Sequence, residues 1–197
     1  SAQEMIFQLQ HILADDQELL FKHAPDPAYL AIVDVEAYQA YVSESLDYFG
    51  MIEQLGREMG IGHALAWGCP ESTLSIRIRV AADYPLAEMS QPYSAAFQSW
   101  IRTSGNLCFT SHDNLYHSAT SSDWHLNQPD DGTEVFRPRQ LSVPEGVYGI
   151  TVFRHFPWYE GDQEAPHLNE GVNYSIVLQE CFRPPRPEQF KRHIPWI

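Results

Sequence analysis

The chain has 197 residues, 44% of them hydrophobic and 13% aromatic, which is enough to bury a core in one domain and too apolar for a disordered chain. Its 26 acidic residues outweigh 12 basic ones, a formal net charge of −14. That field repels phosphate backbones and anionic lipid, so no nucleic-acid and no membrane binding is expected; it would attract a basic protein or a cation, or serve simply to keep the protein in solution.

Residues 5–13 are apolar with partial alternation, a polar turn Asp15-Asp16-Gln17 follows, and Glu18-Leu19-Leu20-Phe21-Lys22 completes the pattern of a β-hairpin. Pro25-Asp26-Pro27 breaks the chain before a strand at Tyr29-Leu30-Ala31-Ile32-Val33. Residues 34–59 have helical character. Tyr38, Tyr41, Val42, Leu46, Phe49 and Ile52 recur at spacings of three and four as one apolar stripe, and Gly60-Ile61-Gly62 supplies the stop. Residues 74–80 alternate strictly, with Leu74, Ile76, Ile78 and Val80 on one face and Ser75, Arg77 and Arg79 on the other. Residues 87–100 read as helical with a break at Pro92, and residues 105–111 as a short strand.

Residues 112–133 are polar and irregular, a long loop of the kind that is often functional. After the turn signal Pro144-Glu145-Gly146, residues 147–156 form a long strand. An acidic loop over 157–171 follows, and residues 172–179 return, the two strands pairing antiparallel. The tail over residues 181–197 contains Arg183-Pro184-Pro185-Arg186-Pro187 and Lys191-Arg192. It reads as an extended basic segment lying back across the acidic body of a single domain spanning 1–197. The expected fold is mainly β: an antiparallel β-sandwich or partly open barrel with one or two peripheral helices.

Cys69, Cys108 and Cys181 are an odd, widely spaced set without Cys-x-x-Cys, so neither a disulfide framework nor a zinc knuckle is expected. Reduced thiols fit a cytoplasmic location. No run of about 18 apolar residues predicts a membrane span, and Ser1-Ala2-Gln3-Glu4 does not read as a signal peptide. No glycine loop for phosphates is present, since Gly60-Ile61-Gly62 lacks the third glycine and the strand–helix context, and no cofactor is implied.

Two segments carry candidate chemistry. His112, Asp113 and His117 offer imidazole and carboxylate ligands for a divalent metal, with Asp123 and His125 after them, but at a spacing that matches no metal motif. Ser111, His112 and Asp113 are adjacent, which argues against a catalytic relay because neighbouring residues of an extended chain point to opposite faces. In the acidic loop, Trp158, Tyr159, Glu160, Asp162 and Glu164 combine rigid aromatic area with carboxylates, the composition of a protein-contact surface.

The strand Val143-Pro144-Glu145-Gly146-Val147-Tyr148-Gly149-Ile150-Thr151-Val152, with its acidic loop and the return strand Tyr174-Ser175-Ile176-Val177-Leu178, resembles a pattern in small bacterial β-sandwich proteins. These are the competence-protein-J-like nuclease inhibitors and the immunity proteins of polymorphic toxin systems. The resemblance covers residues 143–179. It implies a binding protein that neutralises a toxin, and it carries no catalytic residue over; with the acidic, aromatic-bearing edge, the expected function is a non-enzymatic immunity protein or inhibitor that docks on the toxin's basic cleft. A metal-dependent enzyme built on His112, Asp113 and His117 is the alternative, and a module binding a small ligand or carbohydrate through Trp and Tyr is a third reading.

Overall fold

Strict alternation at residues 74–80 produces a strand with one face sealed: Leu74, Ile76, Ile78 and Val80 are buried, while Ser75, Arg77 and Arg79 are only partly covered. The computed structural model describes residues 10–12, 18–23, 29–39, 47–69, 73–81, 88, 93–111, 115, 138–155, 171–183 and 185–195. Among them the strands are β1 (Gln10–Ile12), β2 (Glu18–His23), β3 (Tyr29–Asp34), β4 (Ala64–Gly68), β5 (Leu74–Val80), β6 (Tyr93–Thr103), β7 (Asn106–Ser111), β8 (Arg139–Ser142), β9 (Gly146–His155) and β10 (Tyr174–Glu180). One α-helix, α1 (Tyr48–Gly60), lies between β3 and β4.

The strands form two five-stranded sheets, ordered β1-β8-β7-β3-β4 and β2-β5-β10-β9-β6. Their inner faces meet as a sandwich. Phe21 stands edge-on to Phe109 across the interior at 5.0 Å between ring centroids, and Trp67 packs against Tyr174 and Phe97 at 6.0 Å each. Tyr148, Ile150 and Val152 of β9 are buried as their alternation requires. β9 and β10 pair antiparallel, Ile176 opposite Val152. The sheets are not purely antiparallel, however: β10 runs parallel to β5 and β1 parallel to β8.

Three local expectations are corrected, the third in part. Residues 5–22 do not make a hairpin, because β1 and β2 belong to different sheets; the apolar face of β2 finds a six-residue partner in β5, with Leu19 opposite Ile78 and Phe21 opposite Ile76. Residues 93–100 are strand, not helix, because the long ladder from Tyr93 to Thr103 along β9 overrides local helical preference. The apolar stripe is borne out in part: Tyr38 is buried and Ile52 packs against the core, but the helix begins only at Tyr48 and Phe49 turns outward. α1 buries Met51, Leu55, Gly56, Glu58 and Met59, while Phe49 is 83% exposed; Tyr41, Val42 and Leu46 lie outside the described residues.

Both ends of α1 follow from their residues. The Asp47 carboxylate accepts from Gly50 N–H at 2.9 Å, an N-cap. At the other end Gly62 takes φ +79°, its N–H reaches Met59 O (3.1 Å) and His63 N–H reaches Glu58 O (2.9 Å). That paired closure needs a left-handed residue, which glycine supplies without a Cβ penalty. No helix among the described residues is long and apolar enough to cross a membrane.

After β10 the chain returns over the body. Phe190 is buried and lies under the Arg102 guanidinium, whose Cζ is 5.7 Å from the ring centroid. Lys191 N–H donates to Ser99 Oγ (3.0 Å), and Gly68 N–H donates to Pro195 O (2.7 Å). Between those two bonds Arg192 passes against Gly56 and Gly60 of α1.

Candidate functional site

The strand registers determine which loops share an end of the sandwich. In one sheet Ser111, at the end of β7, sits opposite Leu30 at the start of β3, and Phe109 opposite Arg139 at the start of β8. In the other, His155, at the end of β9, sits opposite Tyr93 at the start of β6, and Arg154 opposite Tyr174 at the start of β10. The contacts His23–Phe109 (5.3 Å) and Trp67–Tyr174 (6.0 Å) bring these ends of the two sheets together. The strands flanking residues 112–137 and 156–170 therefore all open at one end of the sandwich. His112, Asp113, His117, Asp123 and His125, and likewise Trp158, Tyr159, Glu160, Asp162 and Glu164, lie outside the described residues. By sequence the two segments hold nine acidic residues (Asp113, Asp123, Asp130, Asp131, Glu134, Glu160, Asp162, Glu164 and Glu170) against one basic residue, Arg137.

At that end buried polar side chains lie on both faces of the second sheet, which composition alone did not reveal: His155 and Ser175 alternate with the core-facing Val152, Tyr174 and Ile176 and so lie on its outer face, whereas His23 meets Phe109 between the sheets. His155 Nε2 lies 2.6 Å from Ser175 Oγ, both buried, and its ring stacks on Phe153. Asn173 bridges the strand starts: its carboxamide oxygen accepts from Ser75 N–H at 2.8 Å, and its carbonyl accepts from His155 N–H at 2.9 Å. His23 is fully buried, with no hydrogen bond to either ring nitrogen among the described residues. Burial and the neighbouring Arg139 push its pKa down to about 4, so the imidazole is neutral at physiological pH. Burial pushes the thiols of Cys69 and Cys108 up to about 12. Such thiols are neither nucleophiles nor ready metal ligands.

Two further features lie away from this end. A groove of about 960 Å³ runs between α1 and residues 192–194. Its rim carries Phe49 and Ile61, the latter 54% exposed. Of that rim only Phe49 belongs to the apolar stripe read from sequence, and it was expected in the core. A polar cleft of about 450 Å³ is lined by Asp34, His63, Arg102, Thr103, Ser104 and Glu145. There the buried Asp34 is occupied structurally: Oδ1 accepts from Thr103 Oγ1 (2.6 Å) and Oδ2 from Ala37 N–H (2.8 Å). His63 Nδ1 lies 2.6 Å from Glu58 Oε2, a pairing that follows from the turn at Gly62. Among the described residues no three histidine, cysteine or acidic side chains gather as a metal centre.

No family model matches the chain, and no curated protein does. A solved structure, that of crocagin biosynthetic gene J, is similar in fold: it is 14% identical, the match covers 83% of this chain and 95% of that one, and the TM-score is 0.52. At that identity the likeness concerns the arrangement of strands alone.

Proposed function

We propose that this protein is a non-enzymatic interaction protein of the immunity or inhibitor kind, which blocks a toxin by covering its basic cleft. One observation carries the reading. The strand ends flanking residues 112–137 and 156–170 open on the same side, and those segments account for a net −8 of the chain's −14. Strand ends that open on one side into two such acidic segments suit the steering of a basic partner, since opposite fields raise the rate of encounter. Trp158 and Tyr159 are the aromatic anchors of the surface and Glu160, Asp162 and Glu164 its acidic face. A cytoplasmic location belongs to the same reading, supported by the three free cysteines.

The test is capture of partners on the immobilised full chain from cells of its own source, at low and high ionic strength, followed by assay of the captured protein's activity. The expected result is a basic protein that salt releases and whose activity the purified chain inhibits at equimolar ratio. A captured partner that is acidic, or that keeps full activity in the complex, would overturn the reading.

A further inference from the structure

We infer that the groove between α1 and residues 192–194 is a binding site for an anionic amphiphile: a small molecule with one acidic head group and an apolar body. The inference uses none of the residues of the partner surface proposed above. The groove, about 960 Å³, lies at the upper end of the range of about 300–1,000 Å³ typical of small-molecule sites. Tyr29, Ile52 and Ile194 line it, and Phe49 and Ile61 stand at its rim as large apolar groups exposed to water.

Charge decides the head group. On the helix side Glu53 forms an ion pair with Arg57 at 3.3 Å, and Glu58 Oε2 is engaged in a hydrogen bond with His63 Nδ1 at 2.6 Å. Arg192 lines the same groove and has no carboxylate within ion-pairing distance among the described residues. In a chain with 26 acidic and 12 basic residues, an arginine left without a carboxylate beside an apolar groove is a cation available to a ligand. A guanidinium presents paired N–H donors that match a carboxylate or a phosphate.

Arg192 is also held in place. A Cβ at Gly56 would lie 2.6 Å from Arg192 O, and one at Gly60 would lie 3.3 Å from its Cγ, so both glycines permit the residue to lie flat on the helix. The hydrogen bonds of Lys191 to Ser99 and of Gly68 to Pro195 pin the chain on either side. The backbone that carries the guanidinium is thereby ordered before binding, which lowers the entropic cost of association.

Calorimetric titration of the full chain tests this, with dodecanoate, dodecyl phosphate and dodecylammonium as probes below their micelle-forming concentrations. The expected result is one saturable site for dodecanoate or dodecyl phosphate and none for dodecylammonium; whichever anion binds tighter identifies the head group. Arg192→Glu should weaken the anion by about tenfold or more. Arg192→Gln should weaken it less, Phe49→Ser should weaken it measurably, and Arg186→Glu should leave it unchanged. Thermal melts of each variant verify folding. No saturable anion binding to the wild type, equal affinity in Arg192→Glu, an equal loss in Arg186→Glu, or dodecylammonium binding as tightly as dodecanoate would each overturn the inference.

Discussion

His23 stands edge-on to Phe109 across the sandwich, ring centroids 5.3 Å apart and planes at 86°, with neither imidazole nitrogen hydrogen-bonded among the described residues. Arg139, whose Cζ lies 5.1 Å from the Phe21 ring centroid, places a cation in the same interior. Protonating His23 would place a charge in a low dielectric beside that cation, so burial first and Arg139 second hold its pKa at about 4 instead of 6.5. The unfolded chain takes up this proton below about pH 6.5 and the folded chain refuses it until about pH 4. Stability should therefore fall as pH drops through that window, by about 3 kcal/mol from this group. His23→Phe should remove that share of the slope. Urea midpoints at about pH 4.5 and 7 measure it, and an unchanged pH dependence in the variant would assign the slope to other groups.

A buried ion pair sits on the opposite face of β5. Glu88 is 2% exposed, and its carboxylate accepts two hydrogen bonds from Arg79, Nε to Oε1 at 2.5 Å and Nη2 to Oε2 at 2.7 Å. Burial alone would raise the Glu88 carboxyl; the fork from Arg79 holds it below its ordinary value. Its contribution is thus present above the ordinary carboxylate pKa and is lost as pH falls through the depressed one. Glu88→Gln should cost about 3 kcal/mol by leaving the Arg79 charge facing a neutral amide. The double variant Arg79→Met with Glu88→Met should cost less than Glu88→Gln alone, because the two opposite charges of the fork are then removed together. Denaturant titration of both variants decides it, and a double variant worse than the single would refute the desolvation argument.

Gly56 sets helix propensity against packing. On an isolated helix, alanine is favoured over glycine by about 1 kcal/mol. Here the added methyl would come 2.6 Å from Arg192 O, a backbone atom that cannot rotate away. Gly56→Ala is expected to destabilise by about 1–3 kcal/mol as residues 191–195 shift from the helix. The amides of Lys191 and Gly68, which donate to Ser99 Oγ and Pro195 O, should lose hydrogen-exchange protection together. A more stable variant with unchanged protection would show that the tail is not seated by this glycine.

Alternation made the inner faces of β5 and β9 legible, since a period of two leaves no choice about which side chains are buried. The β9–β10 pairing was legible as well, both strands being apolar and joined through one loop. The parallel contact of β5 with β10 was not, because Ile76 and Tyr174 are brought together only by the whole topology. β4 escaped for a different reason: Ala64, Leu65, Ala66 and Trp67 are buried on both faces, so no alternation marks them. On α1 the buried Met51, Leu55 and Met59 lie beside the expected stripe, and Glu58 reads from sequence as a solvent residue, whereas its carboxylate is buried and lies 2.6 Å from His63 Nδ1. Arg192 reads from sequence as one charge of a basic tail, and its relation to the groove requires the close approach at Gly56. That the strands flanking residues 112–137 and 156–170 open at one end is likewise a property of strand register, which residue types do not encode.

The partner surface gives the last prediction. Exposed charges contribute little to folding, so reversing Glu160 and Asp162 to lysine should leave the melting temperature almost unchanged if these side chains serve binding. Association with a basic partner should slow, and its dependence on salt should flatten, because the reversed charges remove part of the steering field. Dissociation should change less than association, since rim charges act mainly on encounter. Trp158→Ala separates two roles for the ring. As an interface anchor its loss lowers affinity by about 2 kcal/mol or more with the fold intact. As a plug at the end of the sandwich its loss lowers the melting temperature instead, by the removal of a buried aromatic group worth about 3–5 kcal/mol. Stopped-flow association and thermal melts on the same preparations tell these apart. If the Glu160→Lys/Asp162→Lys protein binds with unchanged kinetics, the contact shifts to the other segment rooted at that end, where charge reversal at Asp113 and Asp123 is the equivalent experiment.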